Sequence, residues 1–328
     1  MVSRLRFHLS PFHLSPFAGF VVLASVLAAI WLAPAAGAFG RHHGQPARGG
    51  PPHSGVPHKG PFPGRPPHGK PPHPTPAPSY LALGDSLAFG YSQAKFEHLL
   101  PNENPAAYNT GYVDDFARLL RIGHPNLQVI NDGCPGETTE SFIKGPCEYQ
   151  LAFPLHHPYV GGPTSSQLSD ALAYLQANPD TSTITLDIGA NDALGVIERT
   201  CEKKAECVIK EAPALFAHIA SNLGLILADL RGTDPHATII VLGLYNPFGE
   251  KLPGGNTLTA QLNEVEKQVA TTVGARFADP LPLFNPPGAL EEPTICLLTN
   301  MCTPLEDIHP TDLGYAVLAG VIAKQYFF

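Results

Sequence analysis

The sequence predicts an α/β domain over residues 79–328, a mainly parallel five-stranded sheet between two helical layers in a three-layer α/β/α sandwich. Three observations lead there. Short apolar runs alternate with longer stretches of helical pattern, the order that builds a parallel sheet with helices on both faces. The runs close on Gly, Asn and Asp, as strands do where the chain turns. The run 237–244, with Thr-Ile-Ile-Val-Leu inside it, has no polar alternation and reads as a strand covered on both faces.

The elements follow in order. Tyr80-Leu81-Ala82-Leu83 is the first strand and runs into Gly84-Asp85-Ser86-Leu87, where a helix is expected to begin. Residues 127–130 form the second strand, ending at Asn131-Asp132-Gly133. The third, 183–188, is closed by Gly189-Ala190-Asn191-Asp192. The fourth is 237–244, and 275–278 is a brief fifth. Helices are predicted at 112–121, 166–177, 212–230, 258–273 and 311–326, the last just beyond His309-Pro310. Working residues of such sheets collect at the carboxyl ends of the strands. The segments after strands one, two and three, and the loop before the last helix, are therefore expected on one edge.

The first 78 residues are a different material. Arg4 and Arg6 precede an apolar run over 17–33 and then Ala36-Gly37-Ala38. Basic, apolar and small-x-small segments in that order read as a secretory signal peptide over 1–38; the apolar run is at the lower limit for spanning a bilayer and small residues follow it, which favours a cleaved signal over the alternative, a retained anchor. Residues 39–78 hold 13 prolines, 8 glycines, 6 histidines and five basic residues with no acid. Such a stretch has no apolar surface to offset ordering and is expected to be an extended linker. Its histidines (His42, His43, His53, His58, His68 and His73) have no fixed ligand spacing, so no metal is assigned to them.

Charge divides at the same boundary. Residues 79–328 carry 13 Lys+Arg and all 28 Asp+Glu, a net charge of −15, against +5 for 39–78. An acidic domain repels nucleic acid, which removes that class of partner. The basic linker leaves contact with an anionic envelope open. Six cysteines, Cys134, Cys147, Cys201, Cys207, Cys296 and Cys302, all lie in the acidic part. An even count behind an export signal reads as disulfides, and the spacings suggest that sequence neighbours pair. No pair has zinc-finger spacing, so no metal or other cofactor is expected.

Ser86 follows an apolar strand at the head of a helix, where a hydroxyl is exposed and held still enough to be activated by a base. His309 lies just before the last helix and suits that base. Gly136, in Cys134-Pro135-Gly136-Glu137-Thr138-Thr139, and Asn191 are available as oxyanion donors beside the Ser86 backbone N–H. Such a donor contributes about 2.7–4 kcal/mol to a transition state. Each segment alone has an ordinary explanation: Ser86 or Asn191 as a helix cap, Gly136 as a turn glycine, His309 as a loop residue. Asp85 and Asp192 read as structural acids that bond backbone near the turns. His156 and His157, in a Pro- and Gly-rich loop over 145–163, read as solvated loop histidines with a flank of the cleft as the alternative.

Together the four blocks resemble the SGNH (GDSL-type) hydrolase superfamily: Gly84-Asp85-Ser86-Leu87, Asn131 through Gly136 to Thr139, Gly189-Ala190-Asn191-Asp192, and Asp307-Ile308-His309-Pro310, in family order. The resemblance spans 79–328. It implies the flavodoxin-like SGNH fold, with Ser86 as nucleophile, His309 as general base, and Ser86 N–H, Gly136 N–H and the Asn191 side chain as oxyanion donors. One position departs from the pattern. The family carries an Asp three residues before the His, and position 306 is Glu, while Asp307 is one residue later. Glu306 has the spacing, Asp307 the usual chemistry, and a backbone carbonyl is the third option; spacing favours Glu306. No Gly-x-Ser-x-Gly elbow is present, against an α/β-hydrolase.

The function expected is an exported, monomeric serine esterase acting on small-molecule or lipid esters without cofactor. A carbohydrate O-deacetylase of the same fold is the alternative within the class. Outside it stands a non-catalytic surface or metal-binding protein that uses the histidine-rich segment.

Overall fold

The computed structural model describes residues 78–328; the expected leader, nearly all of the linker and its six histidines lie outside the described residues. The chain runs through β1 (Ser79–Gly84), α1 (Ser86–Phe89), α2 (Gln93–Leu99), α3 (Tyr112–Gly123), β2 (Gln128–Asn131), α4 (Thr139–Lys144) and α5 (Gln167–Ala177). It continues through β3 (Thr181–Asp187), α6 (Ala190–Gly195), α7 (Ala205–Thr233), β4 (Thr238–Leu242), α8 (Gly255–Thr272) and β5 (Arg276–Ala278). Helices α9 (Leu281–Phe284), α10 (Glu291–Leu298) and α11 (Asp312–Phe327) complete it.

All five strands are parallel, in the order β2-β1-β3-β4-β5. That is the flavodoxin-like order, with its topological switch between β1 and β3. In register, Leu81 lies between Ile130 and Ile184, and Leu186 beside Val241. Alternate residues feed two cores. Tyr80, Ala82, Ile240 and Leu242 pack under α3 and α11. Leu81, Leu83, Ile184, Leu186, Ile239 and Val241 pack under α5, α7 and α8. Both faces are covered, which is why β1 and β4 read as nearly unbroken apolar runs.

Several helices differ from the reading of the sequence, two of them at a proline. The third long helix was expected over 212–230; α7 instead starts at Ala205 and runs through Pro213. Pro213 and Ile209, whose carbonyl loses its donor there, are both exposed, so that carbonyl is open to solvent and the missing bond costs less than it would in the core. A second proline, Pro293, lies in α10, where no helix was predicted. It occupies the third position of that helix, where a backbone N–H has no intrahelical partner in any case.

Gly84, at the end of β1, has φ +142°, and a Cβ there would collide with the backbone oxygen of Asp187 on β3. The two strand ends meet so closely only because position 84 has no side chain. Gly84→Ala is expected to lower unfolding stability by about 2–4 kcal/mol in urea denaturation, from overlap against rigid backbone plus the strained φ.

Candidate active site

Ser86 opens α1, with one residue, Asp85, between it and the strand. Asp85 caps that helix: its Oδ1 accepts the Leu87 N–H at 3.0 Å. The amide of Gln167 brackets Gly84, taking its N–H at 2.6 Å and donating to its carbonyl at 2.9 Å. Asp187, at the end of β3, accepts the N–H groups of Asp85 at 3.1 Å and Ala88 at 3.4 Å through one oxygen. Its other oxygen accepts the Tyr112 hydroxyl at 2.5 Å. The turn that presents Ser86 is thus held from both neighbouring segments.

His309 meets it from the far end of the chain. Nε2 of His309 lies 2.9 Å from Ser86 Oγ, and Nδ1 lies 2.5 Å from Oδ1 of Asp307. The carboxylate on the imidazole is therefore Asp307, and Glu306 forms no hydrogen bond or ion pair with His309, which corrects the choice made from spacing. The reason is local. Glu306 takes a left-handed conformation, φ 45°, with its N–H on the Thr303 carbonyl. That kink leaves Asp307 to fold back over the loop, where Oδ1 also accepts the His309 N–H at 3.2 Å and Oδ2 the Gln93 N–H at 2.9 Å. Burial alone would raise the Asp307 carboxyl. The hydrogen bond and charge of His309 and the two backbone N–H groups outweigh burial and hold it below its ordinary value.

The loop carrying His309 is fixed by its carbonyls. Asn300 donates its backbone N–H to the His309 carbonyl at 2.9 Å and its side-chain amide to the Pro310 carbonyl at 2.9 Å. Tyr245 donates its hydroxyl to the Ile308 carbonyl at 2.8 Å. Asn300 belongs to the short loop closed by Cys296–Cys302, so that disulfide braces the imidazole through one residue. The other bridges join Cys134 to Cys147 and Cys201 to Cys207. The first of these flanks Gly136, and the Cys134 N–H bonds the Gly84 carbonyl at 3.0 Å.

Of the expected oxyanion donors, the N–H groups of Ser86 and Gly136 have no acceptor among the described residues. Asn191 differs. Its amide group donates to Oδ2 of Asp85 at 3.1 Å and to the Glu137 carbonyl at 2.9 Å. Both hydrogens are engaged, so the side chain stands here as a tie between the Ser86 turn and the Gly136 loop, rather than as a free donor. Asp192 does the work read for it, accepting the backbone N–H of Thr139 at 2.9 Å and its hydroxyl at 2.7 Å.

Glu137, next to Gly136, is fully buried. Burial and the charges of Asp85 and Asp192 push its carboxyl up to about 7, against the bonds it accepts from Ser141 and Gln167. The two loop histidines are not simply solvated: both are half-buried and hydrogen-bonded. His156 packs its ring on Phe89 with Nε2 2.9 Å from the Phe89 carbonyl, and burial lowers its pKa. His157 pairs with Asp132, Nδ1 to Oδ1, at 2.7 Å. An aromatic wall stands beside the imidazole: the Tyr91 ring lies 4.8 Å from that of His309, and Phe96, Tyr149 and Phe153 continue it.

Gln167, Asp187, Asn300 and Tyr245 escaped the sequence reading, because each acts on backbone far away in sequence. Only Asp187 left a signal, an acid inside the apolar run Thr-Leu-Asp-Ile at a strand end.

Residues 82–317 match the GDSL-like lipase/acylhydrolase family. Among solved structures, the chain is similar to an acetylxylan esterase from Geobacillus stearothermophilus, at 18% identity and a TM-score of 0.49, over 76% of this chain and 94% of that one. It is also similar to a lipase from a goat rumen metagenome, at 19% identity and a TM-score of 0.49, over 76% of this chain and 97% of that one. No curated protein matches the chain.

Glu137 gives the site a stability signature. Its carboxyl moves from 4.5 to about 7 on folding, so the folded chain binds that proton more tightly and stability falls as pH rises between those values. Glu137→Gln removes this loss. Urea denaturation at pH 5 and pH 8 is expected to show a smaller drop for the variant than for the parent, by about 2 kcal/mol.

Proposed function

Given that the chain belongs to the GDSL-like lipase/acylhydrolase family of carboxylic ester hydrolases, we propose that it is an exported serine esterase that works through an acyl-enzyme on Ser86. The observation that carries this reading is the continuous chain of contacts from Ser86 Oγ to His309 Nε2, and from His309 Nδ1 to Asp307. Nε2 takes the hydroxyl proton as Ser86 Oγ attacks the ester carbonyl, and Asp307 holds the Nδ1–H and stabilises the imidazolium that forms. The N–H groups of Ser86 and Gly136 receive the charge that develops on the carbonyl oxygen. Asn191 joins them when one of its hydrogens leaves the Glu137 carbonyl for that oxygen. His309 then passes the proton to the leaving alcohol, and it activates the water that releases the acid.

The substrate is a lipid or short-chain acyl ester. The wall of Tyr91, Phe96, Tyr149 and Phe153 beside His309 supports an apolar group next to the scissile bond. Export is supported by the leader pattern of 1–38 and by the three disulfides, which persist in oxidising surroundings.

A fluorophosphonate probe tests the nucleophile. The folded, oxidised protein is expected to be labelled and Ser86→Ala to remain unlabelled; an unlabelled parent, or labelling that survives in Ser86→Ala, rejects the reading. Asp307→Asn is expected to lower kcat/KM on a p-nitrophenyl ester by roughly a thousandfold or more, through the wrong imidazole tautomer. Glu306→Gln is expected to stay within about threefold of the parent, as for a side chain outside any network.

A further inference from the structure

A second cluster lies apart from Ser86 and His309. Asp132 follows β2, His157 belongs to the loop after the Cys134–Cys147 bridge, and Asp170 stands in the first turn of α5. Asp132 and Asp170 are 0% and 3% exposed. One oxygen of each is satisfied: Asp132 Oδ1 by His157 Nδ1 at 2.7 Å, and Asp170 Oδ1 by the Val160 N–H at 2.5 Å. The second oxygen of each, Oδ2 in both, is buried without a hydrogen-bond partner. Nδ1 of His157 lies 3.7 Å from Asp170 Oδ2, and one ligand atom from each of the three residues falls within 4.8 Å of the others.

Two carboxylates buried side by side, each with an oxygen left over, need positive charge beyond one imidazole. We propose that Asp132, His157 and Asp170 form a structural site for a divalent cation, with zinc the best match. The donor set is one nitrogen and two carboxylate oxygens, which suits zinc and is poor for the all-oxygen cations. His157 is partly exposed and opens the site to solvent, so water supplies the fourth position. The ion joins three segments, the end of β2, the histidine loop and α5. The Tyr159 hydroxyl, bonded to the Asp132 carbonyl at 2.8 Å, braces the same junction. The site stands independently of the ester chemistry.

The test is zinc binding by the metal-stripped full chain, by equilibrium dialysis with metal analysis, for the parent, His157→Ala and Asp170→Asn. The histidine-rich segment 39–78 is common to all three, so the readout is the difference between them. Each variant is expected to bind one equivalent less than the parent. Zinc at a hundredfold excess over Kd is expected to raise the parent's melting temperature by roughly 5 °C or more, and to leave both variants unmoved. Cobalt(II) is expected to give a visible band in the parent that both variants lose. Equal zinc stoichiometry in all three chains, or a melting temperature indifferent to zinc in the parent, overturns the proposal and leaves a protonated His157 between two carboxyls. Should one variant fail to fold, the other decides.

Discussion

The acids at the ends of the two central strands set the terms for the rest of the site. Asp85, just after β1, and Asp187, the last residue of β3, are both buried, and each has the other among the causes of its shifted pKa. Burial, then the Asp85 charge, pushes the Asp187 carboxyl well above its ordinary value. Two such groups side by side are costly to ionise, and the bonds they accept offset part of that cost. In return they organise backbone. Asp187 gathers the N–H groups of Asp85 and Ala88, and Asp85 takes those of Leu87 and the Asn191 amide. The serine turn is therefore anchored to the sheet by charge–dipole contacts in a dry interior, where such contacts are strong. The absence of a side chain at Gly84 allows this approach.

From that anchor the other parts are attached one at a time. Asn191 links the turn to the Gly136 loop, and Gln167 links Gly84 to Glu137. The imidazole arrives on a separate segment, about 220 residues later in the chain, and its position depends on three groups that hold carbonyls of 308–310. Disulfides brace both arriving loops, Cys134–Cys147 at Gly136 and Cys296–Cys302 at Asn300. The strands supply a rigid edge and the bridges stiffen what hangs from it, a division that suits loops exposed to solvent.

What was legible in the sequence follows from the range of the interactions involved. The central strand β4 was readable because burial on both faces leaves an unbroken apolar run, Ile239-Ile240-Val241-Leu242, while the shorter edge strands were read from brief apolar runs that close on turn residues. Ser86 and His309 were readable as residue types in ordered blocks. The partner of His309 was not, because it turns on a single backbone angle. With Glu306 at φ 45°, residue 307 takes the place that spacing assigned to residue 306. Asn191 was placed correctly beside the turn, yet its hydrogen-bond partners depend on where the carbonyl of Glu137 points, which no local pattern records. Pro213 and Pro293 both lie inside observed helices, and the cost of each depends on whether the N–H that the proline lacks would have had a partner.

The central claim is a covalent acyl-enzyme, and partitioning tests it most directly. Hydrolysis of a set of acetate esters with different leaving alcohols would be run with a fixed concentration of methanol, measuring methyl acetate against acetic acid. A common acyl-enzyme predicts one product ratio for every ester, since the leaving alcohol has gone before water or methanol attacks. A ratio that changes with the leaving alcohol would contradict the account, because the acceptor would then be meeting the ester itself.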